Sequence, residues 1–261
     1  VRCHVPMPSD TAAHSPRLCH ACERDVTHCV ACAQPVLGTV YTLADPVTGV
    51  SRSFCAECME TRQRCDLCLA PVVSSASPIK DGQWRCATCA HEMVLDPRHV
   101  AEVYSEALGW FELLLGAGLA TLPELRISGR NALEEVRARH EAGSVGAPSA
   151  HTLGFYVRDG LSSTIYVRYG LPASLLLGTL AHELGHAWEA ERARGLRDPV
   201  LIEGFAEWVA YHVLLAAGQR DAAIRATRRE DHYGEGLRAC LKLERDVGRA
   251  TMLRQIQRAR G

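Results

Sequence analysis

Two short stretches of this 261-residue chain are the most informative about its structure: HELGH at His182–His186 and EGFAEW at Glu203–Trp208. On a helix the two histidines of the first stretch project from one face, one turn apart, so both imidazoles can reach a single tetrahedral Zn²⁺. The preceding residues, Leu175–Ala181, are mostly apolar, as expected of a buried active-site helix. The first stretch therefore predicts a helical zinc site rather than an ordinary amphipathic helix.

The second stretch supplies the third ligand that such a site needs. Sixteen residues separate it from His186, which lets one helix end near Gly195 and a second return after Asp198-Pro199. We predict that Glu203 binds the metal. Glu207, one turn later on the same face, is predicted to accept the other ring N–H of a zinc-bound histidine.

Glu183 lies beside the two histidines, near the fourth metal position. Zinc lowers the pKa of its bound water toward about 7, and a neighbouring carboxylate can take the proton as water attacks an amide. We therefore predict that Glu183 is the general base of a zinc peptidase. A non-catalytic descendant has no chemical need for this carboxylate, so Glu183 disfavours the alternative, a zinc-stapled scaffold with a weakly active or inactive domain.

His212 also lies near these carboxylates in sequence. At 100° per residue it is about 180° around the helix from Glu203, so we interpret it as a surface or packing histidine. The isolated Cys240 stands in a helical run and is interpreted as a core cysteine.

Ten of the twelve cysteines form Cys-x-x-Cys pairs, each able to present two thiolates to one metal. Four of the pairs are separated by a long gap, a gap of six residues and a second long gap, which is the pattern of a double zinc module. The sequential ligand sets are Cys29, Cys32, Cys55 and Cys58 for one zinc, and Cys65, Cys68, Cys86 and Cys89 for the next. Disulfides are the alternative, but no secretory apolar segment opens the chain.

The fifth pair, Cys19 and Cys22, precedes this module by the same six-residue spacing. It resembles the closing pair of an earlier module whose opening pair is incomplete. Cys3 is one candidate partner, and the alternatives are His4, His14 and His20. The sequence thus predicts one catalytic zinc and two or three structural zinc ions.

The cysteines also divide the chain, because no Cys-x-x-Cys pair occurs beyond Leu95. We predict a partial zinc-binding segment at residues 1–28, a LIM-like double zinc module at 29–95 and a peptidase domain at 96–261. Between Cys19 and Leu95, six Lys/Arg stand against eight Asp/Glu, which favours a protein partner over nucleic acid. The near-neutral charge and short apolar runs predict a cytoplasmic protein without a membrane partner.

In the last segment, alternating residues predict a hairpin of Thr152–Val157 and Thr164–Tyr169, the second strand leading into the zinc helix. An edge strand there could bind an extended peptide, and we place this docking at Ile165–Arg168. The Gly/Ser/Pro-rich loop Glu141–Ser149 is a candidate for self-cleavage, and the boundary between the predicted domains is the alternative.

Together these features resemble the LIM-domain zinc peptidases that regulate plant organ size, the "DA-one" family of ubiquitin-activated peptidases. The resemblance covers roughly Cys29 to Gly248, and the chain looks like a shorter relative of bacterial type. It rests on the residues around both metal-binding stretches, on the cysteine module with its unusual six-residue spacer, and on HYGEGLRA at His232–Ala239.

The resemblance implies an α+β fold in which a gluzincin-type peptidase follows a LIM-like module. It implies zinc on His182, His186 and Glu203, with Glu183 catalytic. It also suggests that Tyr233, or less well His232, stabilises the oxyanion of the tetrahedral intermediate.

Two departures from the family limit what it implies. The plant members bind ubiquitin through acidic helical motifs that this chain does not show, so ubiquitin or a ubiquitin-like protein is expected as a partner by resemblance alone. Gly185 replaces a bulky residue inside the HELGH stretch, and we expect it to alter the pocket beside it.

Overall fold

A computed structural model of the chain describes residues 25–73, 78–79, 82–140 and 152–259. These residues form a mixed α+β structure with two small sheets and nine helices, which confirms the predicted class at that level. The strands are β1 (Val40–Ala44), β2 (Ser51–Cys55), β3 (Glu124–Ser128), β4 (Gly154–Asp159) and β5 (Ser162–Arg168). The helices are α1 (Ala56–Thr61), α2 (Ala87–His91), α3 (Pro97–Leu115), α4 (Arg130–His140), α5 (Ala173–Arg192), α6 (Pro199–Ala216), α7 (Arg220–Thr227), α8 (His232–Val247) and α9 (Arg249–Arg258).

The cysteine-rich part is built from a turn that occurs twice. In each copy the residue after the second cysteine adopts a positive φ, 58° at Ala33 and 61° at Leu69. The amide of the first cysteine donates across each turn, from Cys29 to a carbonyl 2.9 Å away and from Cys65 to one 2.8 Å away. The repeated geometry aims both thiols of each Cys-x-x-Cys pair to the same side.

Two hydrophobic clusters stabilise the structure. The smaller consists largely of the cysteines themselves with a few apolar side chains, among them Phe54 and Val72. The larger lies between α3, α5, α6, α8 and strand β5, and includes the fully buried Phe111, Leu180 and Trp208. The cysteine-rich part therefore has little core besides its cysteine side chains.

A short ladder joins the two parts immediately before α5. Met93 pairs with Pro172, and the Val94 amide donates to the Leu171 carbonyl over 2.9 Å. Val94 itself packs into the larger core, one residue before the predicted boundary at Leu95. The division into domains stays a prediction.

The three-stranded sheet corrects one expectation. Its order is β3-β5-β4, with β3 parallel and β4 antiparallel to β5. Residues Ile165–Arg168 therefore lie in a central strand whose two edges are already paired, and the predicted docking of a peptide there is wrong. Among the described strands of this sheet, β3 and β4 each keep one unpaired edge.

Helix α6 is the one helix of the described residues that is long and apolar enough to cross a membrane by length and composition. Of its residues, 44% are buried inside the structure, where it packs against α5 and α8. Core helices of other folds pass the same test, so this is weak evidence for a membrane span.

Candidate metal centre

Helix α5 places the two histidines of the HELGH stretch on one face. Leu177, Leu180 and Leu184 are buried in the core, which turns His182 and His186 toward α6. The two Nε2 atoms are 3.0 Å apart. Both rings are partly buried, so a metal held between them would be shielded from bulk water.

Glu203 completes a triangle of ligand atoms. Its Oε2 is 3.3 Å from His182 Nε2 and 3.6 Å from His186 Nε2. Ligands about 2.05 Å from a tetrahedral zinc lie about 3.3 Å from each other, so these separations fit one ion. Glu203 Oε2 is also buried without a hydrogen-bond partner, as expected of an atom that binds a metal.

The approach of α6 depends on Gly185. A Cβ atom there would lie 2.8 Å from Ala206 Cα, closer than side chains tolerate. The glycine thus allows α5 and α6 to pack closely enough to bring Glu203 to the histidines. Our expectation of a changed pocket beside Gly185 is replaced by a helix contact, because the residue faces α6.

Two carboxylates contact the far ring nitrogens. Glu207 Oε1 lies 3.4 Å from His182 Nδ1, as predicted, and Arg229 binds the same oxygen at 3.1 Å. Glu189 Oε2 lies 2.8 Å from His186 Nδ1 and was not predicted. Its position three residues after His186 on one helix was the available signal. Carboxylates at Nδ1 favour a proton there and leave Nε2 for a metal.

Glu183 is buried next to this triangle, at 5% exposure. Burial raises the pKa of its carboxyl, and the two histidines oppose the rise. Strand β4 lies directly against it, since a Cβ atom on Gly154 would be 2.8 Å from Glu183 Oε1. Strand β4 therefore runs beside the carboxylate predicted to be the base.

Tyr233 reaches the site from the first turn of α8. Its ring centroid lies 6.0 Å from that of His182. Burial is the main cause that raises the pKa of Tyr233 to about 12, and the charge of Glu203 acts in the same direction. The phenol keeps its proton at neutral pH and can donate a hydrogen bond. Its neighbour His232 is exposed, so Tyr233 is the better placed of the two candidates.

The eight cysteines predicted as structural ligands come together in the predicted sets of four. In each set the sulfur atoms lie within 4.8 Å of one another and form no disulfide. Zinc–thiolate bonds of about 2.3 Å imply sulfur separations near 3.8 Å. The pairs Cys32–Cys55 at 3.9 Å and Cys68–Cys86 at 3.5 Å bracket that value. Both clusters can hold a metal ion, in agreement with two structural zincs.

Arg52 joins strand β2, which ends at Cys55 of the first cysteine cluster, to the second cluster, a contact that the sequence did not reveal. From strand β2 it donates to Cys68 Sγ at 3.4 Å and to Cys86 Sγ at 3.7 Å, while Asp45 binds it at 3.0 Å. A guanidinium group beside two thiolates offsets the negative charge that four cysteines bring to a zinc ion.

The remaining predicted residues divide into two groups. Cys240 is fully buried in the larger core, and His212 is half-buried with Nε2 2.8 Å from Glu244 Oε2, away from the metal triangle. The candidate ligands of a third structural zinc lie outside the described residues; they are Cys3, Cys19 and Cys22 with the alternatives His4, His14 and His20.

Comparison with known proteins adds no further constraint. No protein-family model, curated protein or solved structure matches this chain.

Proposed function

We propose that the chain is a zinc-dependent endopeptidase that cleaves protein substrates, with a gluzincin-type catalytic domain and a LIM-like module. The observation that carries the proposal is the triangle of ligand atoms from His182, His186 and Glu203 with buried Glu183 beside it. Zinc held by these three residues would supply a Lewis acid and an activated water molecule. The resemblance to LIM-domain peptidases points the same way.

Two side chains take part in the remaining chemistry, and two others position the metal-binding histidines. Glu183 takes a proton at its carboxylate and passes it to the leaving amine, and the raised pKa that burial causes makes it a stronger base than an exposed glutamate. Tyr233 donates its phenolic hydrogen to the oxygen of the scissile carbonyl as negative charge develops there. Glu207 and Glu189 hold the two imidazole rings in orientation.

The substrate is proposed to bind at β4 rather than at β5. An extended peptide can add as a fourth strand to the unpaired edge of Gly154–Asp159, because its backbone groups there are free of a described partner strand. Gly154 lies against Glu183, so a peptide on this edge places a backbone amide next to the base.

The cysteine-rich module is proposed to recruit substrate or to restrain the active site. Ubiquitin or a ubiquitin-like protein as activator follows from the resemblance alone, as does latency. Nucleic acid and membrane are not proposed as partners, and the cytoplasmic location stays a prediction. The loop proposed for self-cleavage, Glu141–Ser149, lies outside the described residues.

Digestion of an unfolded protein by the zinc-loaded chain, with and without ubiquitin, tests this function. Glu203→Ala should bind one zinc fewer than wild type and lose cleavage, whereas Glu235→Ala, an exposed residue on α8, should change neither. Undiminished cleavage by Glu203→Ala contradicts the proposal. Full zinc content in wild type without cleavage in any digest favours the scaffold alternative.

A further inference from the structure

Two buried arginines meet where the cysteine-rich part contacts the three-stranded sheet. Arg85 directly precedes Cys86, and Arg168 ends strand β5; they are 3% and 2% exposed. Both donate to one atom, Gln83 Oε1, which is 3.0 Å from Arg85 Nη2 and 2.9 Å from Arg168 Nε. A neutral amide oxygen in the interior therefore receives two cationic groups.

Each guanidinium group uses only one of the two nitrogen donors, Nε and Nη2, that form one of its edges. Nε and Nη2 of an arginine lie side by side, on the edge that binds two oxygens of a carboxylate or phosphate. Arg168 uses Nε and leaves Nη2 without a partner, whereas Arg85 uses Nη2 and leaves Nε without one. Gln83 Nε2 is likewise buried and unpartnered. Three unmatched donors thus belong to the three side chains that meet at this oxygen.

The nearby carboxylates are bound by a third arginine. Arg130 pairs with Asp66 at 2.5 Å and with Glu134 at 3.2 Å. Among the described residues, no carboxylate hydrogen-bonds to Arg85 or Arg168. These three arginines and two carboxylates leave an excess of one positive charge. Burial, and after it repulsion from Arg85, lowers the pKa of Arg168 to about 10. Unpaired buried charge of this kind is costly.

We propose that Arg85, Arg168 and Gln83 form a binding site for a small oxyanion of the phosphate or sulfate type, held between the two guanidinium edges. The bound anion accepts the unmatched N–H groups of both arginines, and the Gln83 amide turns to present Nε2 instead of Oε1. The negative charge of the anion then offsets the excess positive charge. Because the donors are buried, the anion enters when this junction opens.

The position of the site gives the anion a structural role. Arg85 lies beside a ligand of the second cysteine cluster, and Arg168 lies five residues before α5, the helix that carries His182 and His186. An anion bound to both arginines joins the cysteine-rich part to the metal-binding part. This inference is independent of the proposed peptidase activity.

Thermal unfolding of the zinc-loaded full chain tests the site. Sodium sulfate, and in a second series sodium phosphate, is titrated against sodium chloride at equal ionic strength. We expect a saturable rise of the unfolding midpoint in wild type with at least one of the two anions, and the tighter response identifies the better ligand. Arg168→Met should abolish this rise, whereas Arg126→Met, an exposed arginine on β3, should retain it.

Gln83→Glu keeps the test decisive if Arg168→Met fails to fold. The new carboxylate is a permanent counter-charge between the two guanidinium groups, so the midpoint in chloride should exceed that of wild type and should no longer respond to the anions. Excluded salts stabilise proteins in general, without saturation. An equal, non-saturating rise in wild type and Gln83→Glu, or no rise in wild type, overturns the proposal.

Discussion

His186 Nδ1 lies 2.8 Å from Oε2 of Glu189, which follows it by almost one turn on the same helix. Glu189 is 7% exposed, so the contact is shielded from solvent. Removing a carboxylate that orients a metal-binding histidine costs about 10–100-fold in metal affinity. We predict a loss in this range for zinc at the histidine site of Glu189→Ala, measured by competition with a chelating dye.

Glu191→Ala is the matched control for that measurement. Glu191 lies on the same helix but binds the amides of Ala120 and Thr121, at 2.9 and 3.1 Å, away from the metal triangle. Its zinc affinity should equal that of wild type. Equal affinities for Glu189→Ala and wild type would show that the contact has no role in metal binding.

Gly204 and Gly236 allow α6 and α8 to cross at close range. A Cβ atom on Gly204 would lie 2.5 Å from the carbonyl carbon of Gly236, and backbone atoms cannot move aside as a flexible side chain does. We predict that Gly204→Ala lowers the free energy of unfolding by about 1–3 kcal/mol, the usual cost of overpacking. Denaturant unfolding of the zinc-loaded chain measures it.

Gly109→Ala in α3 tests whether this loss is a general effect of replacing helical glycines. Apart from its chain neighbours and the adjacent backbone of α3, no atom lies within 4 Å of a Cβ placed at Gly109. Alanine there should raise the free energy of unfolding by up to about 1 kcal/mol, because glycine disfavours the helix. If Gly204→Ala is as stable as wild type, the close crossing is not a constraint on the fold.

His212 makes the stability of the fold depend on pH. Burial lowers its pKa from the ordinary 6.5, and Arg249 acts in the same direction, although Glu244 opposes both. Below pH 6.5 the unfolded chain therefore binds a proton that the folded chain does not, so the free energy of unfolding falls as the pH falls. Above 6.5 this contribution is fully present.

His212→Gln should reduce the loss of unfolding free energy that occurs as the pH falls. The measurement is the urea midpoint of the zinc-loaded chain at about pH 8 and about pH 6, for wild type and variant. Zinc–thiolate chemistry contributes to both proteins alike, so the difference between the two slopes isolates His212. If the urea midpoint changes equally with pH in wild type and variant, His212 is not the source of the pH dependence.

The parts of the site that could be predicted from the sequence depend on the spacing of residues close together in the chain. The i, i+4 separation of His182 and His186 fixes their common face, and Cys-x-x-Cys pairs fix which thiols lie together. The approach of Glu203 followed from the length of the intervening turn. All three features depend on geometry within one or two adjacent elements.

The features that were missed depend on contacts between distant segments. Strand β5 is central only because β3, about forty residues earlier, pairs with it in parallel, and its alternating pattern did not reveal that partner. The contact of Gly185 with Ala206 and the meeting of Arg85 with Arg168 likewise require the packed structure. Glu189 is different, since its helical spacing from His186 was visible in the sequence.

The most direct test of the central claim is to measure zinc content and proteolysis together for Glu183→Gln. Glutamine keeps the size of the side chain but cannot accept the proton, and Glu183 is not one of the three proposed metal ligands. We expect the same zinc content as wild type and a loss of cleavage of at least about 100-fold. Cleavage at the wild-type rate with full zinc would contradict it.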